Sequence, residues 1–400
     1  MNVMLISNTC TKGEFERLQS IKFSEKVSPQ QNYFSMLIDG LLASPRVTRV
    51  VCVSARPIAQ SNTNVPCLEA SAERVSDRLS FFYTKVVAKN GARNITNLRE
   101  VRRAVRAAMR ELAQDDTVAI CDPLAFDVTI GAIRALKRIP KIAVITDIPS
   151  FVGAIGKSER RVSRLKNAVK QRIFMGTIRQ MQGFCFLTQA MERFNVRRVP
   201  GCIVEGMVPI CAESTPKMNA DRRIVLYAGG LYEKFGILNL VNAAASITDI
   251  PFELHLYGEG NCIDEIRHVQ TRCPNIRYMG VVGIDQVRAA ERGAALLVNP
   301  RPCDEEFTKY SFPSKTLEYM SAGRPVLTTR LPGIPEEYFN YVYSIADNGV
   351  DTIRDALSHL LRLPDEELTR KGEEARRYAE KNKNAGAQAE KIIRLAEELL

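Results

Sequence analysis

Three stretches in the second half of this 400-residue sequence bring glycine and cations to places where a chain meets phosphate. The longest, NPRPCDEEFTKYSFPSKTLEYMSAGRPVLTT (299–329), reads as a strand end, an irregular loop with Arg301, Lys309 and Lys315, and a helix opening near Pro313–Ser314. Proline is pre-organised for a first helical turn, Gly323 is placed to end the helix, and Pro325 blocks its continuation. The N–H groups at a helix start carry partial positive charge, so with two or three cations beside them they form an anion site. AGGLYEKFG (228–236) follows a strand and precedes a helix, with Gly229 and Gly230 permitting close backbone approach and Lys234 adding a cation. HLYGEGN (255–261) repeats the arrangement with Gly258. Glycine at a strand end also serves as a plain turn, so two readings stand for these shorter stretches.

Glu318 lies about one turn inside the helix that opens at Pro313. A carboxylate there can accept two hydroxyl donors at once, such as the vicinal pair of a ribose; the alternative is an ion pair with Lys315 at i−3 on a solvated face. Other chemistries lack their residues. The first βα junction has no GxGxxG, and neither GxxxxGK[ST], HExxH nor GxSxG occurs. No DxD-like carboxylate pair offers a metal–diphosphate site, so phosphate falls to cations and backbone N–H groups, and neither metal nor resident cofactor is expected. All three histidines (255, 268, 359) lie in the second half, and the ten cysteines show no CxxC, which favours buried thiols over zinc or a disulfide framework.

The elements that must hold these residues alternate. Strands are predicted at 2–7, 49–55, 81–88, 117–121, 141–146 and 183–188, with helices at 29–43, 96–113, 125–138 and 158–180. After a Pro-rich break at 199–223 the rhythm restarts, with strands at 223–230, 252–258, 275–280, 294–300 and 324–329 and helices at 236–248, 263–271, 284–292 and 313–322. Helices alone follow, at 349–362 and 364–400. Continuous β-branched runs between amphipathic helices require a parallel sheet covered on both faces. The expectation is an α/β chain of two Rossmann-like doubly wound domains facing across a cleft: 1–205, a linker 206–222, 223–365, and bracing C-terminal helices at 366–400. Open parallel sheets bind ligands beyond the carboxyl ends of their strands.

Charge divides the chain. Residues 1–200 carry 32 Lys+Arg against 16 Asp+Glu, and residues 201–400 carry 24 against 29. The densest stretch, RRVSRLKNAVKQRIFMGTIRQ (160–180), places Arg160, Arg161, Arg164, Lys166, Lys170, Arg172 and Arg179 around an apolar stripe of Val162, Leu165, Val169 and Ile173. Either that helix lies on anionic lipid headgroups, or it is a solvated basic helix packed on its own domain. The opening MNVMLISNTC lacks the pattern of a signal peptide and no window reaches the length of a membrane span, so the expected location is the cytoplasm, with peripheral contact at the inner membrane face.

YSFPSKTLEYMSAGRPVL, followed by LPGIPEEY, resembles the donor-site signature of the retaining glycosyltransferase family 4, in the branch associated with exopolysaccharide and capsule synthesis. The resemblance covers most of 220–340 and extends weakly through VITDIPS (144–150) and FLTQAM…VEGMVP (186–209). It implies a GT-B fold, with a nucleotide-sugar held by the second domain and an acceptor by the first, and no metal. By position, Glu318 resembles the Glu that holds the ribose; Ser311, Phe312, Ser314 and Lys315 resemble the loop and helix start that meet diphosphate and sugar; Gly229 and Gly230 resemble the phosphate-facing loop. Two departures stand out. Tyr310 occupies the position of a second Glu, and the usual Arg and Lys of the phosphate loop fall on Gly230 and Phe235, with Lys234 one place early. Lys234, Arg301 and Lys315 are expected to supply the two or so positive charges a diphosphate needs.

The first half lacks the His that many relatives present to the sugar. Asp147, in TDIP at a strand end, is the candidate to touch donor sugar or acceptor hydroxyl, the alternative being a turn hydrogen bond. Lys12 and Gly13, in the first βα loop, are candidates for acceptor binding. The expected activity is metal-independent transfer of a sugar from a nucleotide-diphosphate sugar, with UDP the expected nucleotide, to a saccharide or polyprenyl-diphosphate-linked acceptor of cell-surface polysaccharide synthesis, without nucleic acid. A non-catalytic nucleotide-sugar-binding scaffold and a GT-B-fold nucleotide-sugar epimerase are the alternatives.

Overall fold

Apolar residues fill both faces of the central strands, as a sheet covered by helices on each side requires. In the computed structural model, which describes residues 1–22, 29–58, 63–87, 93–147, 161–209 and 223–400, the chain divides into two compact units. Met1–Met207 with Ala385–Leu400 make the first, and Val208–Asn384 the second. Most of the expected linker (210–222), Cys211, Arg160, the helix start at 158–160 and residues 148–150 of VITDIPS lie outside the described residues, as do the side chains of Arg161, Val162, Arg164, Leu165 and Lys166.

The first unit contains β1 (Asn2–Ser7), α1 (Lys12–Ser20), α2 (Pro29–Ala43), β2 (Arg49–Ser54), β3 (Cys67–Leu68), β4 (Ser71–Ser76), β5 (Leu79–Tyr83), β6 (Val86–Val87), α3 (Arg93–Met109), β7 (Thr117–Cys121), α4 (Phe126–Ile133), β8 (Lys141–Ile145), α5 (Arg161–Ile178), β9 (Gly183–Phe186) and β10 (Gly201–Ile203). Eight strands form one sheet in the order β10-β9-β8-β7-β1-β2-β5-β4, parallel except for β4, which runs antiparallel along the edge. β3 and β6 pair apart from it. β1, β7, β8 and β9 are buried throughout, and each fully buried Val, Leu or Ile contributes about 1.5–3 kcal/mol. The strand order reverses between β1 and β7.

The second unit contains β11 (Arg223–Ala228), α6 (Ile237–Ala245), β12 (Phe252–Tyr257), α7 (Ile263–Arg272), β13 (Ile276–Gly280), α8 (Ile284–Gly293), β14 (Leu296–Asn299), α9 (Ser314–Ser321), β15 (Val326–Thr329), β16 (Tyr343–Ile345), α10 (Val350–Leu360) and α11 (Asp365–Asn382). Its parallel sheet has the order β13-β12-β11-β14-β15-β16, reversing between β11 and β14. Val225, Leu240, Leu254, Ile266, Val298 and Leu357 belong to one core cluster between sheet and helices.

Several elements differ from expectation. The run 364–400 is two helices, α11 and α12 (Ala385–Glu397), parted at Lys383–Asn384. α11 packs on α9, where Gly372 fits against the backbone of Gly323 and Arg324, whereas α12 packs on α2, where Gly40 fits against Ala385. Lys391 donates to the Ile203 carbonyl at 3.0 Å, and Gln388 donates to the Gly206 carbonyl at 2.7 Å, which fixes α12 in the first unit. α1, β3, β4, β10 and β16 were not expected, and the strand expected over 81–88 is divided into β5 and β6. No helix among the described residues is long and apolar enough to cross a membrane. The nine described cysteines are free thiols, five of them buried.

Candidate functional site

The strand-order reversal of the second unit places the loops after β11 and β14 side by side, and an open sheet binds ligands at such a point. β11 ends at Ala228, whose backbone is held on both sides by Tyr319 of α9. The Tyr319 hydroxyl accepts from the Ala228 N–H at 2.9 Å and donates to the Ala228 carbonyl at 3.3 Å. Burial pushes that phenol well above its ordinary range, so it stays a neutral donor and acceptor. From the β14 side, Asn299 donates to Thr316 Oγ1 at 3.2 Å. These contacts set the start of α9 against both strand ends.

Gly229 and Gly258 make this packing possible. Gly229 has φ +148° and donates to the Tyr257 carbonyl at 2.9 Å. Gly258 has φ +126°, and a Cβ on it would run into the Gly229 carbonyl. A Cβ on Gly229 would in turn strike the ammonium of Lys315. The Lys315 ammonium therefore rests in the notch that Gly229 leaves open, 5.7 Å from the centroid of the Tyr227 ring. Tyr227 is buried, donates to the Gly230 carbonyl at 3.0 Å, and has a phenol raised by burial and partly offset by Arg301.

Two further cations meet at Phe235. Lys234 lies 5.1 Å from the centroid of that ring, and the Arg301 guanidinium lies 5.6 Å from it and 4.7 Å from the Phe307 ring. Phe235, the expected position of a lysine, is thus an aromatic platform shared by Lys234 and Arg301. α9 begins at Ser314 after Pro313, which supplies no side-chain cap, and the Thr316 N–H donates to the Pro313 carbonyl at 2.9 Å; the positive end of the helix lies at Ser314 and Lys315. Lys315 and Glu318 form no ion pair with each other among the described residues. Glu318 is exposed. Beside it is the buried Glu291 of α8, whose carboxyl is pushed up to about 7 by burial and the Glu318 charge, against Lys315, Arg288 and Arg292.

Gly229, Gly230, Lys234, Gly258, Arg301, Lys315 and Glu318 come together around β11, β14 and α9. Ser311 and Tyr310 lie half-buried on the loop before α9, with Ser314 exposed at its start and Lys309 exposed on the 3-10 turn Glu306–Tyr310. Phe312 points into the core, 5.6 Å from Tyr338, and serves packing. In the first unit, Lys12 and Gly13 are exposed at the start of α1, where Thr11 accepts from the Glu14 N–H at 3.2 Å. Asp147 is exposed two residues past β8. The strands β1 and β8 are separated by β7, so these candidates stand on non-adjacent strands. Tyr227, Tyr319, Asn299 and Glu291 were not singled out from the sequence. Tyr319 had one signal, its spacing of four from Lys315 on a helix, and the others had none. Among the described residues no group of three or more His, Cys, Asp or Glu side chains clusters as metal ligands would.

Residues 222–363 match the family model described as Glycosyl transferases group 1. No curated protein matches the chain in sequence. Sucrose-phosphate synthase from Thermosynechococcus elongatus is 14% identical, with a TM-score of 0.67 over 100% of this chain and 99% of that one. An α,α-trehalose-phosphate synthase (UDP-forming) from Burkholderia xenovorans, in complex with glucose-6-phosphate, is 10% identical with a TM-score of 0.68 over 99% of this chain and 100% of that one. Alr3699/HepE from Anabaena, in complex with UDP, is 12% identical with a TM-score of 0.62 over the whole of both chains. At such identities the likeness is one of fold. The chain carries the GT-B fold of these proteins, and with the match of its second unit to the group 1 glycosyl transferases this supports a glycosyltransferase.

Proposed function

We propose that the protein is a retaining glycosyltransferase that takes a sugar from a nucleotide-diphosphate sugar, UDP being the favoured nucleotide, and delivers it to a saccharide or lipid-linked acceptor of cell-surface polysaccharide synthesis. The observation that carries this is the Lys315 ammonium seated in the notch at Gly229, at the proline-led start of α9. A diphosphate placed there meets that ammonium and the helix N–H groups, with Arg301 and Lys234 on Phe235 close by. As the sugar–phosphate bond breaks, negative charge grows on the departing diphosphate, and these fixed positive groups stabilise it more than they stabilise the ground state. The charge is met by protein cations, and no bound metal is invoked. Glu318, without a partner in Lys315, is free to accept two ribose hydroxyls.

Lys12, Gly13 and Asp147 of the first unit are assigned to the acceptor and the transferred sugar, on the rule that ligands meet the carboxyl ends of parallel strands. UDP in the complex of the Anabaena protein and the UDP-forming name of the Burkholderia enzyme support the nucleotide chosen. The test is thermal unfolding with UDP, GDP, ADP and their sugars, with and without EDTA. A ligand at a hundred times its Kd stabilises by about 2.7 kcal/mol. The expected result is an EDTA-insensitive shift with uridine nucleotides that Lys315→Met removes. No shift with any nucleotide overturns the proposal, and binding without transfer or hydrolysis establishes the scaffold alternative.

A further inference from the structure

The basic helix α5 belongs to the first unit, and its packing leaves an unusual surface. The face it buries is Phe174, Thr177 and Ile178, followed by Met181. Phe174 meets Phe126 and Phe194, each at 6.1 Å between ring centroids. That choice of face turns the other stripe outward, so Val169 is 51% exposed and Ile173 42% exposed, with Lys170 and Arg172 exposed beside them. Val169 and Ile173 are therefore not spent on packing within their own domain.

The segment after β9 extends the same surface. Arg197 donates to the Arg179 carbonyl at 3.0 Å, which ties residues 193–198 to the end of α5. Val196 there is 46% exposed, between exposed Arg193, Arg197 and Arg198. Arg193, Asn195, Val196 and Arg198 line an open cavity of about 490 Å³. Over residues 167–200 the exposed charges are six cations and one acid, Glu192. Exposed aliphatics on a face of one charge sign suit a partner that is anionic at its surface and apolar just beneath it. A soluble polyanion uses the charge and leaves the aliphatics in water, and an apolar protein groove makes no use of the positive charge. A bilayer with anionic headgroups satisfies both.

We propose that α5 and the segment 193–198 form a docking surface for an anionic lipid bilayer, with Val169, Ile173 and Val196 entering the headgroup boundary and the arginines meeting lipid phosphates. The experiment is flotation of the full chain with vesicles of phosphatidylcholine alone or mixed with phosphatidylglycerol, at low and high salt. Binding is expected only to the anionic vesicles, weakening with salt. Val169→Ser/Ile173→Ser and Arg193→Gln/Arg198→Gln are each expected to lower it about tenfold or more. These side chains are exposed, so unfolding curves and nucleotide-induced stabilisation stay at the wild-type level. Absence of binding, equal binding to neutral vesicles, or binding unaltered in both variants overturns the proposal. So does self-association in the absence of lipid that Val169→Ser/Ile173→Ser abolishes, since it assigns the surface to a second copy of the chain. Failure here leaves nucleotide binding by the second unit untouched, so the two proposals fail separately.

Discussion

Replacing Glu291 by Gln keeps the shape of a buried side chain and removes its ionisation. The Glu291 carboxyl goes from an ordinary value of 4.5 to about 7 in the folded protein, through burial first and the neighbouring charge of Glu318 second. Above both values the folded protein must hold a second carboxylate beside Glu318 in a poorly solvated place. The native state thus binds more protons than the unfolded chain between pH 4.5 and about 7, and stability falls as pH rises through that window. At about 1.4 kcal/mol per pH unit the loss is about 3 kcal/mol, complete above the folded value and absent below 4.5. Glu291→Gln removes it, so the variant gains on the wild type by about that amount between pH 4.5 and pH 8. The chain has no Trp, so urea unfolding is followed by circular dichroism, using the transition that nucleotide shifts. Glu318→Gln, which removes the like charge, narrows the window without closing it. A wild-type-minus-variant difference that stays flat across this range refutes the reasoning, because it shows that Glu291 ionises in the folded state as it does in water.

Lys315→Met keeps the length of the side chain in the Gly229 notch and removes its charge, so affinity for a nucleotide diphosphate, measured by calorimetry, falls about ten- to a hundredfold; unaltered affinity refutes the role given to that ammonium. Gly258→Ala must hold φ near +126° and push its Cβ into the Gly229 carbonyl, so it destabilises the nucleotide-shifted transition by about 2 kcal/mol and weakens nucleotide binding. A variant equal to wild type in both refutes that account of the loop. Arg56 of the first unit is buried, pairs with Glu14 at 3.3 Å and donates to the Thr84 carbonyl at 3.1 Å. Arg56→Ala therefore costs about 3 kcal/mol in unfolding, while calorimetric nucleotide affinity at low temperature is unchanged.

The central strands were legible because they are buried on both faces and must be apolar throughout. NVMLIS and TVAIC match the observed β1 and β7 residue for residue. β4 was not, because SAERVS is exposed along its whole length and carries no apolar pattern; it is a strand only because β5 offers it an edge. α1 escaped notice for a related reason, since Leu18 is its one buried residue. The break between α11 and α12 lies in a stretch that reads as uninterrupted helix, and it is set by packing on α9 and on α2 respectively.

At the candidate site, residue types and spacing were enough to pick out Gly229, Lys234, Arg301, Lys315 and Glu318, because glycine, cations and a proline-led helix start act through local backbone chemistry. Their arrangement depends on contacts between residues far apart in the chain. The seat of Lys315 against Gly229 joins positions 86 apart, and the hold of Tyr319 on Ala228 joins positions 91 apart. Burial decided the rest. Glu291 reads as an ordinary surface acid until α8 is laid beside α9, and Val169 and Ile173 read equally well as a packed or an outward stripe until Phe174 and Phe194 select the face that turns inward. Local propensity and pattern are properties of the chain alone. Desolvation, charge proximity and the choice between two faces of a helix arise only from what the folded chain brings next to them.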